Sequence, residues 1–180
     1  MVETKVMDMP TRDYLKKLKS QYSDIDIDSI VIVLEYLNTG RDLTKLYAQF
    51  FEKFNLTESK FLVLMLLYRE NNHSLLPSQI AQKAGITRAT VTTLLDGLVS
   101  MGLVLRYPDE SDRRRLIIKL SNKGEKNASE ILPLHYKLTS LITSFLSVDE
   151  SRKILLFINK IKKGMDLYSK EIKKKNKEGI

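Results

Sequence analysis

The sequence contains no cysteine and only two histidines among its 180 residues, and each shortage excludes a class of site. Without cysteine there are no disulfides, no thiolate metal ligands and no cysteine nucleophile. His73 and His135 stand apart, without neighbours at the spacing that metal ligands need. We therefore expect no bound metal and no other cofactor.

Long apolar runs are missing as well. No run approaches the roughly 20 residues of a membrane-spanning helix, and residues 1–10 lack the apolar segment of a secretion signal. There is no glycine-rich phosphate loop and no Ser, His and Asp set with recognisable spacing. These absences predict a cytoplasmic protein that is not an enzyme and does not bind a membrane.

Basic residues exceed acidic residues, and the excess is uneven along the chain. In total 30 Lys and Arg stand against 22 Asp and Glu, which gives a net charge of +8. Residues 1–56 hold 8 basic and 9 acidic residues, residues 57–124 hold 10 and 6, and residues 125–180 hold 12 and 7. This balance suits a polyanionic partner, although a solvated lysine-rich tail explains the C-terminal part equally well.

Apolar spacing and capping residues predict a mainly helical chain. The first predicted helices are a short one capped by Thr11, a long one from Asp28 or Ser29, and a buried one capped by Thr57. Next come 77–84, ended by Gly85, and 88–101, capped by Thr87 and ended by Gly102. The last two are one capped by Ser121 that runs through Phe145, and one opened by the capping box Ser147 to Glu150. The lysine-rich end after Lys170 is expected to fray. Residues 103–107 and 116–120 read as two strands joined by a polar loop.

The helix at 88–101 has the features of a DNA-reading helix. Val91, Leu94, Leu95 and Leu98 form its inward stripe, which leaves small residues and one arginine facing outward near its start. Small outward residues let the helix backbone approach base edges in the major groove. The predicted DNA-reading set is Thr87, Arg88, Ala89, Thr90, Thr92 and Thr93, in which Arg88 would donate to guanine and the threonines would contact bases or phosphates.

The loop between the two strands carries Asp112, Arg113, Arg114 and Arg115. Neighbouring arginines repel one another unless an anion lies near, and arginine is the residue that enters narrow, electronegative minor grooves. The alternative is a solvated turn with local ion pairs. With the preceding helix in place, the loop reads as the wing of a DNA-binding unit.

Residues 57–124 resemble the winged-helix unit of the MarR (multiple antibiotic resistance regulator) family. The matching residues are Leu56-Thr57, Phe61, Leu64, Ile80-Ala81, Ala89-Thr90-Val91-Thr92, Leu95-Asp96, Leu98, Gly102-Leu103-Val104, Arg106, Asp112, Arg114, Leu120-Ser121 and Gly124. The resemblance implies that the helix at 88–101 reads the major groove, and that Arg114 enters the minor groove, steadied by Asp112. Thr93 and Leu76 depart from the residue types common in that family.

The resemblance implies a winged helix-turn-helix flanked by dimerisation helices. We expect an N-terminal extension (1–27), a dimerisation helix (28–56), the DNA-binding unit (57–124) and C-terminal dimerisation helices with a basic tail (125–180). An apolar seam at Ile154, Ile158, Ile161, Met165 and Tyr168 also favours a partner helix. The expected function is sequence-specific regulation of transcription, with repression favoured, by a homodimer on a pseudo-palindromic operator. The alternative is a winged helix that binds protein and not DNA.

The family often responds to small amphipathic or phenolic ligands bound between the dimer layer and the DNA-binding unit. By that resemblance, Tyr47, Phe51, Met65 and Tyr68 would line an effector pocket here. Plain core packing is the favoured alternative, because aromatic residues and methionine at helical spacing are usually core.

Overall fold

The computed structural model describes residues 10–108 and 115–178, in which seven helices and three short strands occur. The helices are α1 (Arg12–Gln21), α2 (Ile27–Glu52), α3 (Glu58–Tyr68), α4 (Pro77–Ala84), α5 (Arg88–Ser100), α6 (Asn122–Ile142) and α7 (Val148–Glu178). The strands are β1 (Ser74–Leu75), β2 (Val104–Pro108) and β3 (Leu116–Leu120). The predicted fold class, mainly helical with a small β hairpin, is confirmed.

Polar side chains cap the starts of α1, α2, α3 and α5. The hydroxyls of Thr11, Thr57 and Thr87 each accept a hydrogen bond at 3.2 Å from the backbone amide three residues later. All three were predicted as caps. Helix α2 begins at Ile27, slightly before its predicted start, because the Asp26 carboxylate accepts from both the amide and the hydroxyl of Ser29.

Helix α4 starts without a side-chain acceptor at its first position. Leu76 stands there and offers no polar atom, but Gln79 reaches back and its Oε1 accepts from the Leu76 amide at 2.8 Å. Pro77 occupies the first turn, where its missing N–H costs nothing. The sequence departure at Leu76 is therefore compensated from within the same turn.

The three strands form one antiparallel sheet in the order β1-β3-β2. Strand β3 pairs with β2 along its whole length, from Val104 opposite Leu120 to Pro108 opposite Leu116. Strand β1 adds two residues on the other edge of β3, with Ser74 opposite Lys119. This third strand was not predicted, because two residues carry no detectable alternation.

Helix α3 lies at the centre of the core, as its apolar sequence predicts. Val63, Leu64 and Leu67 have no exposed surface, whereas Leu62 is 40% exposed. Most of the other fully buried side chains belong to the same compact unit. They include Ile80 of α4, Val91 and Leu98 of α5, and Val104 of β2.

The two C-terminal helices are long. The predicted capping box is confirmed: the Ser147 hydroxyl accepts from the Glu150 amide at 3.3 Å, and the Glu150 carboxylate accepts from the Ser147 amide at 2.8 Å. The predicted fraying after Lys170 is wrong, since α7 continues to Glu178. Lysine is a good helix former, and its charge is favourable near a helix C-terminus.

By internal contacts the chain divides into two compact units, residues 1–125 and 126–180. The first unit contains α1 to α5 and the sheet, with most of the buried side chains. In the second, the apolar residues of α7 are half-buried or exposed. Over the part of the chain that the structure describes, no helix combines the length and apolarity needed to cross a membrane.

Candidate nucleic-acid interface

A three-residue turn joins α4 to α5. Gly85 ends α4 with φ of +66°, in the left-handed region where glycine pays little steric cost. The Ile86 amide then donates to the carbonyl of Ala81 at 3.1 Å, which satisfies the end of α4. Thr87 caps the following helix. The connection is that of a helix-turn-helix with α5 as its second helix.

Helix α5 is buried on one face and exposed on the other. Val91, Leu95 and Leu98 are no more than 2% exposed, and Leu94 is half-buried. The predicted inward stripe is therefore confirmed. The exposed side near the helix start carries Arg88, Ala89, Thr90, Thr92 and Thr93. Among the exposed residues 88–90, 92 and 93, only Arg88 has a side chain longer than threonine.

The threonine hydroxyls on this exposed edge already have hydrogen-bond partners. Thr92 Oγ1 donates to the carbonyl of Arg88 at 3.1 Å, and Thr93 Oγ1 donates to the carbonyl of Ala89 at 3.3 Å. Thr90 Oγ1 lies 2.8 Å from the Thr87 hydroxyl. The Arg88 guanidinium, by contrast, has no partner among the residues that the structure describes, so it is the donor available to a ligand on this edge.

An ion pair joins α5 to the sheet. The Arg106 guanidinium of β2 donates to the Asp96 carboxylate of α5. The two side chains are 36% and 59% exposed. Surface ion pairs contribute little to the free energy of folding. The pair links β2 of the hairpin to α5.

The hairpin tip lies outside the described residues. Asp112, Arg113 and Arg114 all belong to that stretch, and their predicted roles stay predictions. Arg115, the first described residue after it, is exposed. The strands on either side of the tip pair with each other, with Tyr107 opposite Ile117 and Arg106 opposite Ile118.

The start of α6 is joined closely to the connection between α5 and β2. Ser121 Oγ donates to the Gly102 carbonyl at 2.7 Å and accepts from the Gly124 amide at 2.9 Å. Gly124 has no space for a side chain, because an added Cβ would lie 1.9 Å from the Leu103 carbonyl oxygen. The Leu-Ser-x-x-Gly sequence at 120–124 is thus a packing and hydrogen-bonding motif at the base of the wing.

The four residues predicted to line an effector pocket are found in aromatic and core contacts. Phe51 is 1% exposed and Met65 is 5% exposed. The Phe51 ring lies 4.5 Å from that of Phe61, centroid to centroid, and 6.4 Å from that of Tyr47. Tyr68 is half-buried and stacks on His73 at 5.3 Å. These contacts support the packing interpretation of Phe51 and Met65.

The histidines give no sign of a metal centre. His73 Nε2 lies 3.6 Å from a carboxylate oxygen of Glu125, and its ring stacks on Tyr68. His135 has ring contact with Tyr136. Within residues 10–108 and 115–178, no three His, Asp or Glu side chains are grouped closely enough to hold a metal ion.

Sequence reasoning missed the residues that hold the site together. Asp96 and Arg106 were matched only as parts of a family pattern, and the ion pair between them was not predicted. Ser121 was predicted to cap α6, and its Oγ accepts from the Gly124 amide as that prediction requires, but its bond to the Gly102 carbonyl was not predicted. The signal was present in Asp96 and Arg106, which carry opposite charge and sit on an inferred helix and the strand after it. The register that brings them together depends on tertiary packing.

Comparison with known proteins decides the family. Residues 56–116 match the sequence model of the MarR family. The HTH-type transcriptional repressor YetL of Bacillus subtilis is 30% identical over 142 residues, which cover 79% of this chain and 85% of YetL. The chain belongs to the MarR family.

Other MarR-type proteins are similar over most of their length. The transcriptional repressor MprA of Escherichia coli is 25% identical over 157 residues, covering 87% of this chain and 89% of MprA. Among solved structures, AbsC of Streptomyces coelicolor, a MarR family regulator, superposes with a TM-score of 0.70 at 18% identity over 79% of this chain and 97% of AbsC. The DNA complex of Staphylococcus aureus MepR gives 0.65 at 24% identity over 73% and 96%.

This MarR family member is therefore a DNA-binding transcriptional regulator and not an enzyme. The winged helix-turn-helix fold and the regulatory function that the sequence predicted are both confirmed. Family membership favours DNA reading over the alternative of a winged helix that binds only protein.

Proposed function

We propose that this chain is a repressor that binds a pseudo-palindromic operator as a homodimer. Arg88 and the threonines of α5 would read base edges in the major groove. The hairpin tip, with Arg114 steadied by Asp112, would enter the adjacent minor groove. DNA is reached in the cytoplasm, which is the location that this role requires.

The exposed edge of α5 is the observation on which the proposal rests. Buried Val91, Leu95 and Leu98 hold one face of the helix in the core. The outer face presents the Arg88 guanidinium, which has no partner within residues 10–108 and 115–178, among small side chains. A helix N-terminus also offers unpaired amides to a phosphate. The Asp96–Arg106 pair also links the hairpin to α5.

The homodimer is proposed from apolar surface that one chain leaves exposed. Large apolar side chains between 37% and 72% exposed occur at Ile32, Val33, Tyr36, Leu37, Leu46, Leu134, Leu138, Leu141, Ile154, Leu155, Leu156, Phe157, Met165, Leu167 and Tyr168, with Val99 at the lower limit. Exposed apolar surface on this scale usually marks an interface. A two-fold dimer would cover the same surface on both copies and would place two α5 helices on one duplex.

The proposal divides the chain by task. Residues 57–124 would bind DNA, while 28–56 and 125–180 would form the dimer. The extension at 1–27 contributes α1, which packs through Leu15, a residue only 2% exposed, and pairs Arg12 with Asp28 of α2 at 3.1 Å.

We include no effector, because a ligand at Phe51 would have to displace its contact with Phe61.

Selection of bound fragments from a random-sequence duplex library tests the proposal. The purified protein should enrich one sequence with two-fold symmetry and half-sites about 10 base pairs apart, or a multiple of that distance. Affinity for the enriched duplex should fall with salt at a log–log slope of roughly −0.9 for each neutralised phosphate. Failure to enrich any sequence would contradict sequence-specific regulation.

Arginine variants test the proposed major-groove contact of Arg88 and the proposed minor-groove contact of Arg114 separately. Arg114→Ala should weaken binding to all good sites, and Arg88→Ala should also change which sequence is selected, because only a base contact carries sequence information. Arg152→Ala, an exposed arginine on α7, is the matched control and should select the wild-type sequence. If Arg88→Ala and Arg114→Ala both bind like the control, the residue assignment is wrong.

A further inference from the structure

The hydroxyl protons of the two outermost threonines on α5 are committed to the helix itself. Thr92 Oγ1 donates to the Arg88 carbonyl at 3.1 Å, and Thr93 Oγ1 donates to the Ala89 carbonyl at 3.3 Å. A carbonyl oxygen only accepts, so the direction of both bonds is fixed. Because a hydroxyl has one proton and two lone pairs, each threonine keeps acceptor capacity and a methyl group for a ligand.

The two earlier threonines have a different task. Thr87 Oγ1 accepts from the Thr90 amide at 3.2 Å, and the two hydroxyls lie 2.8 Å apart. Both are thus engaged in starting the helix. On the exposed edge of α5, this leaves Arg88 as the donor and Thr92 and Thr93 as acceptors with a methyl group.

This chemistry matches one kind of base pair. In the major groove an A·T pair presents the adenine N6 amino donor and the thymine methyl group. Guanine presents only acceptors, at O6 and N7, and cytosine presents an amino donor without a methyl group. We propose that Thr92 and Thr93 select A·T pairs, through hydrogen bonds accepted from adenine N6 and methyl contact with thymine, beside a guanine bound by Arg88.

A phosphate contact for these hydroxyls is disfavoured. Phosphate oxygens are acceptors, so a threonine must first give up its bond to the backbone carbonyl before it donates to them. An amino group on a base donates its proton, so the threonine hydroxyl can accept from it while still donating to the backbone carbonyl. The inference depends on the proposed operator-binding function and names the bases that α5 would read.

Three variants isolate the two contacts. The double variant Thr92→Val, Thr93→Val removes the acceptors and keeps the methyl groups. The double variant Thr92→Ser, Thr93→Ser keeps the acceptors and removes the methyl groups. Thr44→Val is the matched control, since exposed Thr44 on α2 makes the same kind of bond, to the Gly40 carbonyl at 3.0 Å.

The probes are a random-sequence duplex library, the duplex that the wild type enriches, and the same duplex with deoxyuridine in place of thymidine. The wild type should enrich A·T pairs next to a guanine. The valine variant should lose about fivefold in affinity for each acceptor removed. The serine variant should lose about fourfold for each methyl contact on the thymidine duplex, and nothing on the deoxyuridine duplex. Thr44→Val should match the wild type throughout.

Two results would overturn the inference while leaving the operator proposal intact. One is an enriched site with no A·T preference beside the guanine. The other is an enriched site whose base preferences are the same in the valine and serine variants as in the wild type. A wild type that enriches no sequence would contradict the operator proposal instead, so the two failures are distinguishable.

Discussion

The first compact unit (residues 1–125), called the body below, and helix α7 use apolar residues in opposite ways. In α3, Leu64 and Leu67 are completely buried, whereas Leu155, Leu156 and Phe157 of α7 are 63%, 61% and 57% exposed. Between residues 132 and 176 the structure shows no buried residue at all. The body therefore has a core of its own, and α7 has apolar surface that a single chain does not cover.

This difference separates two sources of DNA affinity. Substitutions in the body should act through the shape of one DNA-reading unit. Substitutions on the exposed apolar face of α7 should leave that unit intact and act through the number of units that reach one duplex. Joining two binding units raises affinity by about 10²–10⁴ without any new contact to the ligand.

The largest effect is expected from acidic residues on that face. The double variant Met165→Glu, Tyr168→Glu changes two residues of the seam from Ile154 to Tyr168 that are 60% and 72% exposed in the single chain. It should sediment as a monomer at micromolar concentration, since the added charges would be buried in the proposed interface. Its affinity for the selected operator should fall by about a thousandfold, because only one half-site is bound at a time. Sedimentation equilibrium and gel shift measure the two quantities.

Asn159→Glu, which adds a charge to an exposed polar position of the same helix, is the control and should stay dimeric. A double variant that remains a dimer with wild-type affinity would show that this face of α7 is not part of the interface.

A large effect inside the body is expected at Gly124. An added Cβ would overlap the Leu103 carbonyl oxygen, 1.9 Å away, and backbone cannot rotate aside as a side chain does. Gly124→Ala should lower the free energy of unfolding by about 3 kcal/mol, measured by urea denaturation.

Gly40 on α2 provides the contrast, because nothing lies within 4 Å of a Cβ placed there. Gly40→Ala should raise the free energy of unfolding by up to about 1 kcal/mol through helix propensity. An equal loss at both glycines would mean that steric overlap with Leu103 is not the cause.

Within the first compact unit, the sequence predicted the features that depend on neighbouring residues. Local signals determined the helix boundaries: Thr57, Thr87, Gly85 and Gly102 all begin or end elements as predicted, because each acts on its own neighbours in the chain. The inward stripe of α5 followed from spacing alone. The predicted DNA-reading residues on α5 are exposed together for the same reason.

What the sequence did not predict depends on contacts between distant residues. Strand β1 exists only because Ser74 and Leu75 lie beside β3. The Asp96–Arg106 pair and the Ser121–Gly102 bond require a fixed packing of the hairpin on α5. The direction of the Thr92 and Thr93 hydrogen bonds was also out of reach, since a hydroxyl rotates freely until its neighbours are known.

A smaller effect is expected from separating the hairpin from α5. Asp96→Ala and Arg106→Ala should each leave the free energy of unfolding within about 1 kcal/mol of wild type. Each should weaken binding to the selected operator by about fivefold, because a loosened hairpin must be ordered on the DNA. Urea denaturation measures the change in stability, and gel shift measures the change in DNA affinity.

The charge-reversed pair Asp96→Arg, Arg106→Asp restores the attraction and should recover part of the lost affinity. If either alanine variant loses stability and affinity in proportion, the pair is a folding contact and not a positioning one.

The smallest expected effect is on the pH dependence of stability, through carboxylates at the starts of α7 and α2. Hydrogen bonds from the Ser147 hydroxyl and amide hold the pKa of the Glu150 carboxyl below its ordinary value of 4.5. A carboxyl whose pKa is lower in the folded chain contributes stability above its unfolded pKa, and that stability is lost as pH falls through the folded pKa. Glu150→Gln should therefore lower the urea midpoint slightly at about pH 6, and the difference from wild type should shrink as the pH falls below 4.5. Asp26→Asn should behave in the same way, because hydrogen bonds from Ser29 likewise lower the Asp26 pKa at the start of α2. A difference that grew on acidification would mean that the charged carboxylates do not stabilise these helix starts.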